Sequence, residues 1–158
     1  MRIVIQRAKG ASVTIDGHIN AEFKGLGYVI LIGIESTDTQ EDIDWLVRKV
    51  AALRVFDDAD GVMNRSILDI ADEHEGADGN VIVVSQFTLF ASYKKGNRPS
   101  WLRAAPHDIS VPLYEAFVQK LSETIGRPVG HGEFGADMKV ALCNDGPVTI
   151  LMDTKNKE

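Results

Sequence analysis

The chain has 158 residues, 44% of them hydrophobic and 25% charged, with a formal net charge of −6 at neutral pH. That length suits a single domain over 1–158 with a buried core, and the balance excludes disordered, collagen-like and coiled-coil chains. No apolar stretch approaches the roughly 18 residues of a membrane span. Met1–Arg7 lacks the apolar run of a signal peptide. The one cysteine, Cys143, cannot form an internal disulfide, so the expected compartment is the cytoplasm.

Charge is unevenly spread. Residues 35–78 carry thirteen acids against four bases, whereas residues 79–107 carry no acid and hold Lys94, Lys95, Arg98 and Arg103. An acidic chain is a poor general nucleic-acid binder, so neither DNA nor a membrane is an expected partner. A local basic patch can still meet phosphates or can be an ordinary solvated loop.

Arg2–Ala8 and Ala11–Ile15 are rich in β-branched residues and read as strands, with Asp16-Gly17 as the hairpin turn and His18–Phe23 as the return strand. Tyr28–Ile34 is an unbroken apolar run, expected as a strand buried on both faces. Thr37 with Gln40 suggests a capping box, and Ile43, Leu46, Val47, Val50 and Leu53 then recur at helical spacing. A turn at 57–61, a polar loop at 72–80 and a buried strand at Val81–Phe87 follow. Ser110 is expected as the N-cap of a second helix, with Pro112 in its first turn. Tyr114, Phe117, Val118, Leu121 and Ile125 form the inner face of that helix, and Gly126 and Pro128 end it. Met138–Cys143 and Val148–Met152 read as two strands joined by Asn144–Pro147, with residues 153–158 as a loose tail. This order predicts a mixed α/β domain.

Few familiar catalytic signatures occur. There is no G-x-S-x-G elbow, C-x-x-C pair, H-E-x-x-H helix or P-loop. His18, His74, His107 and His131 are scattered. His131 and Glu133 supply two metal-type ligands, too few for a site. Cys143 sits in an apolar strand pattern and is expected to be a buried, inert thiol.

Two segments stand apart. Ser85-Gln86-Phe87-Thr88-Leu89 places polar residues at the end of a hydrophobic strand. Ligands often bind there in α/β folds, although Ser and Thr at a strand end also satisfy local backbone groups. Asn144-Asp145-Gly146-Pro147-Val148-Thr149 resembles a hairpin turn, but Pro147 removes a ladder donor. About 5–6% of X-Pro bonds are cis in folded proteins, and composition leaves the isomer open.

Those two segments resemble the paired signatures of bacterial-type D-aminoacyl-tRNA deacylases. Met1–Ala8, Leu53–Phe56 with Gly61–Asn64, Lys95–Ser100, Arg103–Pro106 and Gly132–Ala136 are similar to the same family in order and spacing. Trp101 stands where the family pattern has Phe, and the loop at 71–80 is slightly longer than in that pattern.

The resemblance implies a three-layer domain, a barrel-like mixed sheet covered by two main helices, in a twofold homodimer. It implies a cis Gly146–Pro147 bond, reaching into the partner subunit's site to reject L-amino acids. It further implies hydrolysis of the ester joining a D-amino acid, or glycine, to the terminal adenosine of tRNA. No metal or other cofactor is implied. Ser85, Gln86, Phe87 and Thr88 would be the catalytic segment, with the Phe87 and Thr88 N–H groups facing the developing oxyanion and the tRNA 2′-hydroxyl assisting. Phe134 is a candidate for packing on adenine, and Met138, Lys94, Lys95 and Arg98 are further candidates for contacts to adenosine or tRNA. Three rival readings are a Thr88-nucleophile esterase, a non-catalytic RNA-binding module on the same fold, and a metal-dependent hydrolase using His131 and Glu133.

Overall fold

Alternating apolar residues along the opening segments produce one long hairpin. In a computed structural model of the chain, which describes residues 1–71, 73 and 77–158, β1 (Arg2–Ile15) and β2 (His18–Gly33) pair antiparallel along their length. Asp16 (φ 49°) and Gly17 (φ 80°) make the turn between them, the conformation a two-residue hairpin loop requires. The interruption expected near Gly10 is a bulge rather than a strand end. Register slips between Lys9 and Ala11, and Gly10 takes φ 88°, which bends the strand while pairing continues.

After β2 come α1 (Gln40–Ala52), a short hairpin of β3 (Phe56–Asp57) and β4 (Met63–Arg65), and β5 (Asn80–Ser85). A 3₁₀ helix (Phe87–Phe90), α2 (His107–Ile125), β6 (Gly130–His131) and β7 (Met138–Asp153) complete the chain. The main sheet has the order β6-β5-β2-β1-β7, with β5 parallel to both β2 and β6 and β7 antiparallel to β1. Among the described residues the result is a mixed α/β domain with one main sheet and two α-helices. No helix among the described residues is long and apolar enough to cross a membrane.

Strand alternation sorts the core into two clusters. Ile3 and Ile5, Tyr28, Ile30 and Ile32, and Val81 and Val83 face α1 and α2, where they meet Leu46, Val50, Phe117 and Leu121. Burying one such side chain contributes roughly 1.5–3 kcal/mol. The opposite sheet face buries Ala8, Val13, Phe23, Val29, Ile82 and Val84, with Met138 and Val140 packed against them. The run Tyr28–Ile34 is therefore covered on both faces, as its apolar continuity predicts.

Several expectations are corrected. The first helix is capped by Thr39, whose N–H is accepted by the Asp42 carboxylate (2.8 Å), and not by Thr37. The second helix starts at His107 after Pro106. Ser110 lies within it, buried, with its hydroxyl donating to the Pro106 carbonyl (2.9 Å). Pro112 is tolerated inside α2 because it lies on the exposed face and leaves only the carbonyl four residues back, in the first turn, without its donor.

Asn144–Pro147 is no hairpin turn. Gln6 pairs with Thr149 and Ala8 with Asn144, so four residues bulge out opposite Arg7 within one continuous strand. The Gly146–Pro147 peptide is cis.

Cys143 is exposed, because the alternation along β7 turns Met138, Val140 and Leu142 toward the core and Cys143 to the other face. The tail is docked rather than loose. The Thr154 N–H donates to the Met1 carbonyl (2.9 Å), Lys155 pairs with Asp42 (2.8 Å), and the Lys157 ammonium lies 4.8 Å from the centre of the Trp45 ring. Asp72, His74, Glu75 and Gly76 lie outside the described residues, so the loop expected at 72–80 is seen only in part.

Candidate active site

The parallel pair β2–β5 ends at Ile32 and Ser85, and the Gln86 N–H still donates to the Ile32 carbonyl (2.7 Å). Beyond that bond the neighbouring strand has run out. The chain turns into the 3₁₀ helix instead of continuing the strand expected through Phe87. Gly33 makes the turn possible: a Cβ there would lie 3.0 Å from both the Gln86 carbonyl oxygen and the Leu89 Cβ. Phe90, 1% exposed, anchors the far end of the turn. A helix start leaves its first N–H groups without intrahelical acceptors, here those of Phe87 and Thr88.

A cleft of about 480 Å³ opens at this strand end. Ser85, Gln86 and Phe87 form one wall. Ala104, Ala105 and His107 lie at the entry to α2, and Phe134 and Met138 close the other side. Phe134 is set edge-on between two rings, His107 at 5.2 Å and Tyr114 at 5.7 Å. Tyr114 is itself fixed, donating its hydroxyl to the Val83 carbonyl (2.9 Å), and burial pushes its phenol up to about 12. The Phe134 wall is thus held from behind by a neutral, buried tyrosine.

The Gln86 side-chain amide donates to the Thr88 hydroxyl. Among the described residues no histidine, lysine or carboxylate hydrogen-bonds to that hydroxyl, and a nucleophilic Thr needs such a base. Thr88 adjoins the cleft without lining it.

Of the residues singled out from the sequence, Ser85, Gln86, Phe87, Phe134 and Met138 converge on one cleft. Lys94, Lys95 and Arg98 line a separate hollow of about 380 Å³. Gly146 and Pro147 are exposed on β7 and do not line this chain's own cleft. Arg7, 6% exposed, sits behind their bulge and donates to the carbonyls of Val55 (2.6 Å) and Asp145 (3.1 Å). Among the described residues no three His, Cys, Asp or Glu side chains gather as a metal site. Sequence reasoning missed His107 and Ser110 in the cleft, since their place depends on α2 beginning at His107.

A family model described as D-Tyr-tRNA(Tyr) deacylase matches residues 4–153. The chain belongs to this family. The match spans both Ser85–Leu89 and Asn144–Thr149, so the cleft and the β7 bulge lie within the deacylase-family region. The chain is 61% identical to the D-aminoacyl-tRNA deacylase of Phocaeicola vulgatus and 60% identical to that of Bacteroides thetaiotaomicron. Each alignment covers all of both chains. A solved structure described as c-Myc DNA Unwinding Element Binding Protein is similar at 38% identity and TM-score 0.86, covering 98% of this chain and 99% of that one. Another, described as a probable eukaryotic D-amino acid tRNA deacylase, shares the fold at TM-score 0.78 and 16% identity, over 96% and 97% of the two chains.

Proposed function

We propose that this chain is a D-aminoacyl-tRNA deacylase, hydrolysing the ester between a D-amino acid and the terminal ribose of tRNA. The observation that carries the reading is the cleft at the end of β5, which gathers Ser85, Gln86, Phe87 and Phe134 in a chain of this family. Water adds to the ester carbonyl, and the carbonyl oxygen becomes an oxyanion facing the Phe87 and Thr88 N–H groups. The carbon–oxygen bond to ribose then breaks, the ribose oxygen takes a proton, and the amino acid leaves as a carboxylate. Gln86 orients the ribose or ester, and the adenine packs on Phe134 beside Met138. The neighbouring 2′-hydroxyl of the tRNA relays the proton, so the protein needs to supply orientation rather than a strong base.

Chirality enters from a second subunit. Two copies pair about a twofold axis, and the Gly146–Pro147 backbone of each reaches the other's cleft. Carbonyl groups there collide with an L side chain and admit a D one, a rejection independent of side-chain identity. Glycine has no side chain to reject, so glycyl-tRNA is also cleaved. The enzyme acts in the cytoplasm and needs no cofactor.

The test is hydrolysis of D-tyrosyl-tRNA and L-tyrosyl-tRNA side by side. Preferential loss of the D ester is expected, and equal rates or no ester loss would overturn the reading.

A further inference from the structure

Residues 91–103 connect the 3₁₀ helix to the approach of α2 and are absent from the mechanism above. A bridge between Ser92 and Ser100 closes this segment into a loop, with mutual N–H to carbonyl bonds of 2.8 Å. Lys94, Lys95, Arg98 and Arg103 line its hollow. Among the described residues Lys94, Lys95 and Arg98 form no ion pair, whereas Arg103 is spent on Glu35 (3.3 Å). Three uncompensated cations on a chain of net charge −6 are a local reversal of sign.

The same loop exposes aromatic surface. Tyr93 is 75% exposed and Trp101 39% exposed, although large aromatic rings gain by burial. Trp101 meets Phe87 edge to face at 5.3 Å, and Phe87 lines the cleft. Arg103 lines the hollow and its neighbour Ala104 lines the cleft, so the two depressions adjoin. Cations interleaved with exposed rings suit a single strand, whose phosphates meet the cations and whose unpaired bases stack on the rings. A duplex keeps its bases inside and offers the rings nothing to stack on.

We propose that this loop seats the unpaired nucleotides immediately preceding the terminal adenosine, with Lys94, Lys95 and Arg98 on their phosphates and Trp101 under a base. The proposal rests on the deacylase reading for the identity of the strand, and it adds the place where the strand lies.

Two measurements test it separately from that reading. The first is binding of a seven-nucleotide single-stranded RNA, and of an RNA duplex of equal length, followed by anisotropy across a salt series. The single strand should bind more tightly. The Lys94→Ala/Lys95→Ala/Arg98→Ala variant should lose at least about tenfold in affinity and about 2 in the slope of log affinity against log salt, at roughly 0.7 per phosphate contact. Trp101→Ala should lose about tenfold and Trp101→Phe much less, since Phe still offers a stacking face.

The second measurement is the ratio of kcat/KM on D-aminoacyl-tRNA to that on the isolated D-aminoacyl-adenosine, in wild type and variants. A ratio reduced about tenfold in the triple variant supports the seat. An unchanged ratio together with unchanged RNA affinity and salt slope overturns it, even if wild type remains an active deacylase. Absence of hydrolysis on either substrate would instead remove the deacylase reading, and the binding series would still decide whether the loop holds a single strand. Stronger duplex than single-strand binding also overturns the proposal.

Discussion

Arg7 and Asp145 are joined across the outer pair of the sheet: the Arg7 Nε lies 3.1 Å from both the Asp145 carbonyl oxygen and its carboxylate. The arginine reaches this position almost wholly buried, while a second nitrogen donates to the Val55 carbonyl (2.6 Å) and lies 3.2 Å from the Asp57 carboxylate. One side chain therefore ties β1, the segment before β3 and the bulge of β7 together. A planar guanidinium with fixed donors suits that task better than an ammonium.

Arg7→Ala should lower stability by about 2 kcal/mol, because buried acceptors lose their donor and a void remains. Arg7→Lys should fall between the two, and urea unfolding measures both. Wild-type midpoints in both variants would show that the guanidinium does not hold the bulge.

Gly146 has φ 123°, and a Cβ there would lie 2.8 Å from the Val148 side chain and 3.1 Å from the Arg7 guanidinium. Gly146→Ala should cost about 1–3 kcal/mol from the strained backbone alone. If this backbone rejects L-amino acids as proposed, Gly146→Ala/Pro147→Ala should raise the rate on L-tyrosyl-tRNA relative to D-tyrosyl-tRNA by at least about tenfold. Unchanged selectivity in a folded variant would remove the gate from these two residues.

Thr88 accepts from Gln86 and has no base hydrogen-bonded to it among the described residues. Thr88→Ala should keep kcat within about tenfold of wild type, against the roughly 10⁶-fold loss typical of a missing nucleophile. Single-turnover hydrolysis distinguishes the two, and complete inactivity with an intact fold would restore the covalent mechanism.

Substrate ending in 2′-deoxyadenosine should react at least about a hundredfold more slowly, the lower range for a lost proton relay. Normal turnover on that substrate would place the relay in the protein.

Asp42 gives a pH signature. Burial raises its pKa, but hydrogen bonds from Lys155, Thr154 and the Thr39 backbone outweigh burial and hold the carboxyl at about 2. A carboxyl depressed in the folded state contributes stability that is present above its unfolded value near 4 and lost as pH falls toward 2. Asp42→Asn should cost about 1 kcal/mol at neutral pH, the usual loss for a broken helix cap. The gap from wild type should close between about pH 4 and pH 2, and thermal unfolding across that range measures it. A gap independent of pH would mean that the carboxylate charge has no part in holding α1 and the tail.

Local rules made much of the architecture legible from the residues. The Asp16-Gly17 turn, the doubly buried run at Tyr28–Ile34 and the inner face of α2 each follow from periodicity or turn chemistry within a few residues. The motifs at Ser85–Leu89 and Asn144–Thr149 carried the family resemblance on identity and spacing alone.

What folding decided was whatever depends on a distant partner. Ser110 is helical because α2 starts at Pro106–His107 and packs Tyr114 and Phe117 into the core. Cys143 is exposed because it lies on the face of β7 opposite Met138, Val140 and Leu142, which pack on the core. Asn144–Pro147 bulges rather than turns because Gln6 and Ala8 hold both of its flanks to β1. The convergence of Gln86 with His107 and Phe134 exists only after the end of β5, the start of α2 and the segment leading into β7 have packed together. Residue spacing encodes periodicity along one chain segment, whereas a cleft is a set of distances between segments, and only tertiary packing fixes those.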